Sequence, residues 1–243
     1  MDSGVTAAFS RRELIRVAGV AGASVSRRGL RSLNADAVSS WTDPVTGTSA
    51  HVVADGVGDH LLAARAARTV AAAAARSATQ VGAAAGILAA QAELLAQFAE
   101  KEADAVLVVA VIPANGGPCD IAWVGDTRAY RWNGRVLHQI TTDHTAAEYF
   151  RSLGRNPAPR FEHLVLTSAR TATADSIGRA ATGSSRGRFL LSTDGVHKPL
   201  EMARIKETLA GCATAAITAE ALVEGALSAG GSDNTTALVI DCG

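Results

Sequence analysis

The sequence has few aromatic residues and no excess of charge of either sign. Aromatic side chains make up only 4% of the 243 residues, so the core must be built from alanine, valine, leucine and isoleucine. Lysine plus arginine and aspartate plus glutamate both number 23, which gives a formal net charge of zero. A neutral chain gives no support to a nucleic-acid or membrane-surface role. The acidic residues must therefore matter through their placement.

Cysteine is also scarce, and long apolar runs are absent. Cys119, Cys212 and Cys242 are an odd number without CxxC spacing, which argues against a disulfide framework or a zinc knuckle. A reducing cytoplasm is therefore the expected compartment. No stretch approaches the roughly 20 apolar residues of a membrane span.

The length suggests one substantial domain, which we expect over residues 11–243 after a flexible tail at 1–10. Residues 10–15 resemble a twin-arginine export signal ahead of a short apolar run at 17–23. Glycines break that run, so we favour a first strand of the domain at 17–25 and keep export as the alternative.

Apolar runs of strand length are separated by turn residues and by helical stretches. Helices are expected at 61–78, 87–102, 200–210 and 218–228, with Gly82 and Gly86 separating the first two. Asn133 and Gly134 between two apolar runs indicate a β-hairpin. A weak pattern at 145–188 predicts a flap or loop region. Strands joined by turns, with two pairs of helices, predict an antiparallel α+β sandwich.

Five aspartates share a position at the edge of an apolar, strand-like run beside a small turn residue: Asp36, Asp55, Asp126, Asp194 and Asp233. Oxygen ligands of this kind suit Mg²⁺ or Mn²⁺. Any single Asp-Gly dipeptide is more often an ordinary turn than a metal ligand. The metal interpretation therefore depends on the whole series.

Six motifs occur in order along the chain: RSLNAD, VVADGVGDH, VGDTRAYRW, ITTDHT, LLSTDGV and GGSDNTTALVI. In these motifs the sequence resembles the bacterial-type PPM, or PP2C-type, metal-dependent serine/threonine protein phosphatases. The resemblance implies a four-layer α-β-β-α sandwich of two mainly antiparallel sheets flanked by helix pairs. It also implies hydrolysis of phosphoserine and phosphothreonine by a metal-bridging hydroxide. The implied partners are phosphoprotein substrates and a serine/threonine kinase, and the oligomeric state is left open.

Carried over residue by residue, the resemblance implies a set of metal-binding residues: Asp36, Asp55, Gly56, Asp126, Asp194 and Asp233. Asp55 would bridge two Mn²⁺ or Mg²⁺ ions, and the Gly56 carbonyl would bind one of them. Asp194 and Asp233 would complete the coordination of the other ion. Asp36 would act directly or through metal-bound water, and Arg31 would bind the substrate phosphate. Asp126 matches the aspartate associated with a third, weaker metal in bacterial members.

Two positions depart from the family pattern. Asp59 stands where the family usually has glycine, so its carboxylate can cap the following helix or disturb the metals. Lys198 stands four residues after Asp194, where the family often has a second acid, and this argues against a third metal. These departures motivate an alternative function, a catalytically weak regulatory or binding module that keeps the fold.

Other chemistries have weaker support. Residues 183–187 satisfy GxSxG, but they precede a strand and do not open a helix, so a flexible loop is favoured over a serine hydrolase. A cysteine-dependent phosphatase needs an arginine six residues after its cysteine, and neither Cys119 nor Cys212 has one. The histidines lack HExxH spacing, which argues against zinc chemistry. His60 is a candidate proton donor, although a role at the helix start is favoured.

Overall fold

The computed structural model describes residues 11–17, 20–211 and 214–243, which form two antiparallel β-sheets and six α-helices. The expected tail at 1–10 and Cys212 lie outside these ranges. One sheet contains, in spatial order, β1 (Arg11–Val17), β2 (Val20–Arg27), β11 (Thr235–Cys242), β10 (Gly187–Ser192), β7 (Arg128–Trp132) and β8 (Leu137–Gln139). The other contains β3 (Asp36–Thr42), β4 (Ser49–Gly56), β5 (Ala105–Ile112), β6 (Asp120–Val124) and β9 (Gly178–Ala181).

Two pairs of helices cover the outer faces of the sheets. Helices α1 (Leu61–Val81) and α2 (Ala83–Gln97) lie on the second sheet, and α5 (Met202–Gly211) and α6 (Ala215–Ser228) lie on the first. Two short helices, α3 (Ala146–Ser152) and α4 (Asp194–His197), lie in the connections.

Alternation along the strands builds three apolar layers, because successive side chains of a strand point to opposite faces. In β5, Leu107 and Val109 pack with α1 and α2, while Val108 and Ala110 face the first sheet. The same alternation in β10 and β11 fills the layer under α5 and α6. The expected four-layer α-β-β-α sandwich of antiparallel sheets is therefore confirmed.

The first two helices meet more closely than the sequence suggested. Only Gly82 separates them. The second helix was expected to begin at Ile87, but α2 begins at Ala83 and includes Gly86. A Cβ atom at position 86 would come 2.7 Å from the Cβ of Ala78. The expectation that Gly86 breaks the helix was therefore wrong, since this glycine allows α1 and α2 to pack tightly.

Two other segments are more regular than expected. The interpretation of the N-terminal region as a strand is confirmed, but it forms a pair of strands, with Arg11 and Arg12 in β1. The region 145–188 includes α3, a 3-10 helix (Pro159–His163) and the edge strand β9, which pairs with β6. Edge strand β9 is short, has no apolar side chain larger than alanine and buries none of its residues fully, so its sequence shows no clear apolar pattern. Among the described residues no helix is both long and apolar enough to cross a membrane.

Candidate metal centre

Two of the predicted ligands lie opposite each other on neighbouring strands. The antiparallel ladder pairs Asp36, the first residue of β3, with Asp55 near the end of β4. Gly56 follows, and a Cβ atom there would lie 2.5 Å from the carbonyl oxygen of Ala63 in α1. Only glycine therefore allows this strand end to lie so close to the first turn of the helix.

The connections of both sheets bring three more aspartates to the same place. Asp126 lies in the turn between β6 and β7, Asp194 begins α4 directly after β10, and Asp233 precedes β11. Together with Asp55 and Gly56 they line a pocket of about 180 Å³. Asp36 does not line this pocket, but its charge acts on Asp55. The structure thus gathers the predicted ligands from five separate segments.

Burial first, and then mutual repulsion, destabilise the ionised forms of the carboxylates in and beside this pocket. Burial, followed by the charges of Asp36 and Asp194, raises the pKa of Asp55 well above its ordinary value. Burial raises the pKa of Asp36 to about 7, against the lowering effect of its hydrogen bonds. Burial also raises the pKa of Asp126. A divalent cation would relieve this repulsion, because it favours the ionised form of every carboxylate around it.

One atom tests whether a metal fits. The Oδ1 atom of Asp36 is buried, and it accepts no hydrogen bond from any described residue. A buried carboxylate oxygen without a partner is costly unless another group binds it. Among the described residues, no group of three or more carboxylate, imidazole or thiol side chains is arranged so that it could hold a metal ion. Mg²⁺ usually binds through one or two carboxylates and keeps several waters. The unpartnered Oδ1 of Asp36 is the atom that such an ion or its water would satisfy.

A ring of hydroxyl and amide groups holds the other oxygen of Asp36. Thr236 and Thr193 donate hydrogen bonds to Oδ2 at 2.6 and 3.0 Å. Ser26 donates to the Thr236 hydroxyl at 2.7 Å, because the Thr236 proton is already used. Asn34 donates to Ser26 and accepts from the Asp36 backbone N–H. Sequence reasoning missed these positioning residues, although Asn34 and Thr236 lie inside two of the motifs.

Asn234 was also missed, and it joins the two ends of the chain. Its amide nitrogen donates to the carbonyl oxygens of Arg28 and Leu33 at 2.7 and 2.8 Å, and its Oδ1 accepts from the Ala35 N–H at 2.7 Å. The loop that carries Arg31 is thereby fixed to the segment that carries Asp233. The Asp-Asn pair in GGSDNTTALVI was the available signal.

Arg31 and Asp59 act on the same loop. Arg31 donates to Asp233 at 2.6 Å, and its side chain is 42% exposed at the pocket. Asp59 accepts hydrogen bonds from the backbone N–H and hydroxyl of Ser32 at 3.1 and 2.8 Å. Of the two roles considered for Asp59, helix capping was wrong, because His60 caps α1 through its Nδ1. Asp59 instead fixes the loop beside Arg31, and the helix-start interpretation of His60 is confirmed.

Lys198 lies among the predicted ligands. Its ammonium donates to Asp194 at 2.7 Å and to Asp126 at 3.0 Å, and it lies 3.1 Å from Nδ1 of His163 in the 3-10 helix. The pocket is therefore lined by carboxylates, one guanidinium and one ammonium. The GxSxG segment forms no nucleophile elbow, because it leads from β9 into β10.

The fold is similar to that of solved bacterial serine/threonine phosphatases. The chain is 26% identical to the Mycobacterium tuberculosis serine/threonine phosphatase PstP/Ppp, with a TM-score of 0.78 over 92% of this chain and 98% of that one. The catalytic domain of PstP in complex with two manganese ions is 27% identical, with a TM-score of 0.76 over 91% and 97%. The PPM Ser-Thr phosphatase MsPP from Mycobacterium smegmatis is 26% identical, with a TM-score of 0.69 over 94% and 100%. No protein-family model and no curated protein matches the sequence.

Proposed function

We propose that this chain, which has the fold and the motif series of the PPM phosphatases, is a metal-dependent phosphoprotein phosphatase that acts on phosphoserine and phosphothreonine. The observation that carries the proposal is the convergence of Asp55, Asp126, Asp194 and Asp233 on one pocket beside Arg31. The structural neighbours are serine/threonine phosphatases at similar length. The findings give no support to the alternative of a purely regulatory module.

Mn²⁺ or Mg²⁺ is the expected cofactor, since a structural neighbour holds two manganese ions and the donors here are oxygens. When bound, such ions lower the pKa of water and stabilise charge on a phosphoryl group. We assign the two-ion site to Asp36, Asp55, Asp194, Asp233 and the carbonyl of Gly56. Thr193 and Thr236 keep the Asp36 carboxylate in one orientation.

Arg31 is the group that we assign to the substrate. Its guanidinium is partly exposed at the pocket, and a guanidinium can hold two phosphate oxygens at once. Asp59 limits the motion of the loop around it by binding Ser32 and Leu33. Arg31 therefore orients the phosphate, and the loop contacts reduce the entropy that this orientation costs.

The setting of the reaction is also a proposal. The substrates are phosphoproteins, and a serine/threonine kinase that produces them is the expected partner. We place the protein in a reducing cytoplasm, supported by the two free buried cysteines, Cys119 and Cys242. Residues 11–243 are taken as a single phosphatase domain.

Manganese-dependent release of phosphate from an aryl phosphate and from a phosphothreonine peptide tests the activity. Asp55→Asn should abolish release, because the amide neither carries charge nor bridges two cations. Asp175→Asn, at an exposed turn, is the matched control and should keep wild-type activity. Equal activity of Asp55→Asn and wild type would refute the proposal.

A further inference from the structure

The Lys198 ammonium contacts three side chains at the candidate metal centre. Its ammonium has three N–H donors. Asp194 accepts at 2.7 Å, Asp126 at 3.0 Å and Nδ1 of His163 at 3.1 Å, which uses all three. The Lys198 side chain is only 25% exposed, and that of Asp126 only 7%. An ammonium in this position is a fixed cation between two carboxylates.

The backbone holds this cation in place. Lys198 is the C-cap of α4, and its N–H donates to the carbonyl of Asp194 at 2.9 Å, so both side chains lie on the same side of one helical turn. The position four residues after Asp194 thus supplies a positive charge where an acid would supply a ligand. A third divalent cation between Asp126 and Asp194 does not fit, because it would be repelled by the Lys198 ammonium and would lack a carboxylate ligand at position 198.

We propose that the Lys198 ammonium replaces a third metal ion, so that the chain binds two divalent cations and keeps Asp126 as the partner of Lys198. This inference rests on the proposed function, and it identifies the space between Asp126 and Asp194 as the part of the pocket that does not bind a metal ion. Lys198 is also not free to bind substrate phosphate, since all its donors are used. Arg31 is therefore the cation that meets the substrate.

The same ammonium connects the centre to the loop region. His163 closes the 3-10 helix Pro159–His163, and its Nδ1 faces Lys198. Since an ammonium has no acceptor, His163 accepts this hydrogen bond. This end of the 3-10 helix, which lines the pocket, is thus fixed by a side chain that is present whether or not metal is bound. Its order should not depend on the metal concentration.

Counting bound Mn²⁺ by electron paramagnetic resonance of the free ion tests the inference. We expect saturation at two ions per chain for wild type up to millimolar Mn²⁺. Lys198→Asp should add a third, weaker ion, and Lys198→Met should do so with lower affinity. Lys101→Asp changes an exposed lysine and should remain at two. A third ion in either Lys198 variant supports the inference; two ions in both would overturn it.

Two further outcomes separate this inference from the proposed function. A third ion in wild type that Asp126→Asn removes would overturn the inference alone. No Mn²⁺ binding in wild type would contradict the proposed function itself.

Trypsin cleavage after Arg155 and Arg160 provides a readout independent of activity. His163→Ala should make it several-fold faster with the metal count unchanged; unchanged cleavage would refute the connection to the loop region.

Discussion

The hydroxyl of Thr236 offers a sharp test of how the metal centre is held together. Thr236 is fully buried in β11 and donates to Asp36 Oδ2 at 2.6 Å. Thr236→Val keeps the shape of the side chain and removes this donor. Thr193 remains as the second donor at 3.0 Å, and Oδ1 of Asp36 has no described partner to compensate.

The size of the effect follows from two independent estimates. A hydrogen bond to a charged group contributes about 1.5–3 kcal/mol, which corresponds to a rise of about 1–2 units in the pKa of Asp36. This pKa is already raised to about 7. A metal must displace the proton, and Asp36 is already about half protonated at pH 7, so affinity for Mn²⁺ should fall roughly 5–50-fold at that pH. Loss of a residue that supports a metal ligand costs a similar factor, about 10–100-fold.

Calorimetric titration with Mn²⁺ at pH 7 and pH 9 measures the effect. The loss of affinity should be largest at pH 7 and at most about twofold at pH 9, because at the higher pH Asp36 is almost fully ionised in the wild type and at least about half ionised in the variant. Thr218→Val is the matched control, since Thr218 is equally buried in α6 but its hydroxyl donates to the carbonyl of Thr214 and accepts from Arg188, away from the metal centre. Wild-type affinity of Thr236→Val at pH 7 would refute the reasoning, as would a loss that is equal at both pH values.

Three other predictions concern stability and the Arg31 loop. Burial lowers the pKa of His51 from 6.5 to about 4. Between pH 6.5 and about 4, the unfolded chain therefore binds a proton at His51 that the folded chain does not bind. Up to about 3 kcal/mol of stability, fully present above pH 6.5, is lost as the pH falls toward 4. In urea unfolding His51→Gln should show a weaker dependence on pH over this range, and an equal slope would contradict this. Gly86→Ala should cost about 1–3 kcal/mol by overpacking against Ala78, measured by thermal unfolding; a more stable variant would disprove the close-packing argument. Asp59→Ala should raise KM for a phosphopeptide without changing Mn²⁺ affinity, and an unchanged KM would remove Asp59 from a positioning role.

The motif series predicted the fold and the convergence of the aspartates at strand ends, because both have local signals in the sequence. Apolar runs mark the strands, and each aspartate stands beside a turn residue at a strand end. The pairing of Asp36 with Asp55 then follows from the ladder of β3 and β4. These features depend on residues that are close in sequence, or on strands that the chain joins directly.

The supporting residues could not be predicted in the same way. Thr193, Thr236 and Asn234 are ordinary residues of strands and turns, and their partners lie more than 150 positions away. Gly86 resembled a helix break because sequence alone does not show what packs against a glycine. Lys198 was recognised as a departure from the pattern, but its three contacts required the three-dimensional structure.

The Asn234 contacts also have a consequence for how the protein is made. They join residues 199 to 206 positions apart, so they close one of the longest loops in the chain. Such closures come late in folding, because their entropic cost precedes any gain in contacts. During synthesis the loop around Arg31 has its contacts with Asp59 but lacks those with Asp233 and Asn234 until residues 233–236 leave the ribosome. The second sheet can form earlier, but the first sheet and the metal centre are both incomplete until this segment and β11 are available. A protease cut just before Asp233 should therefore remove activity at once.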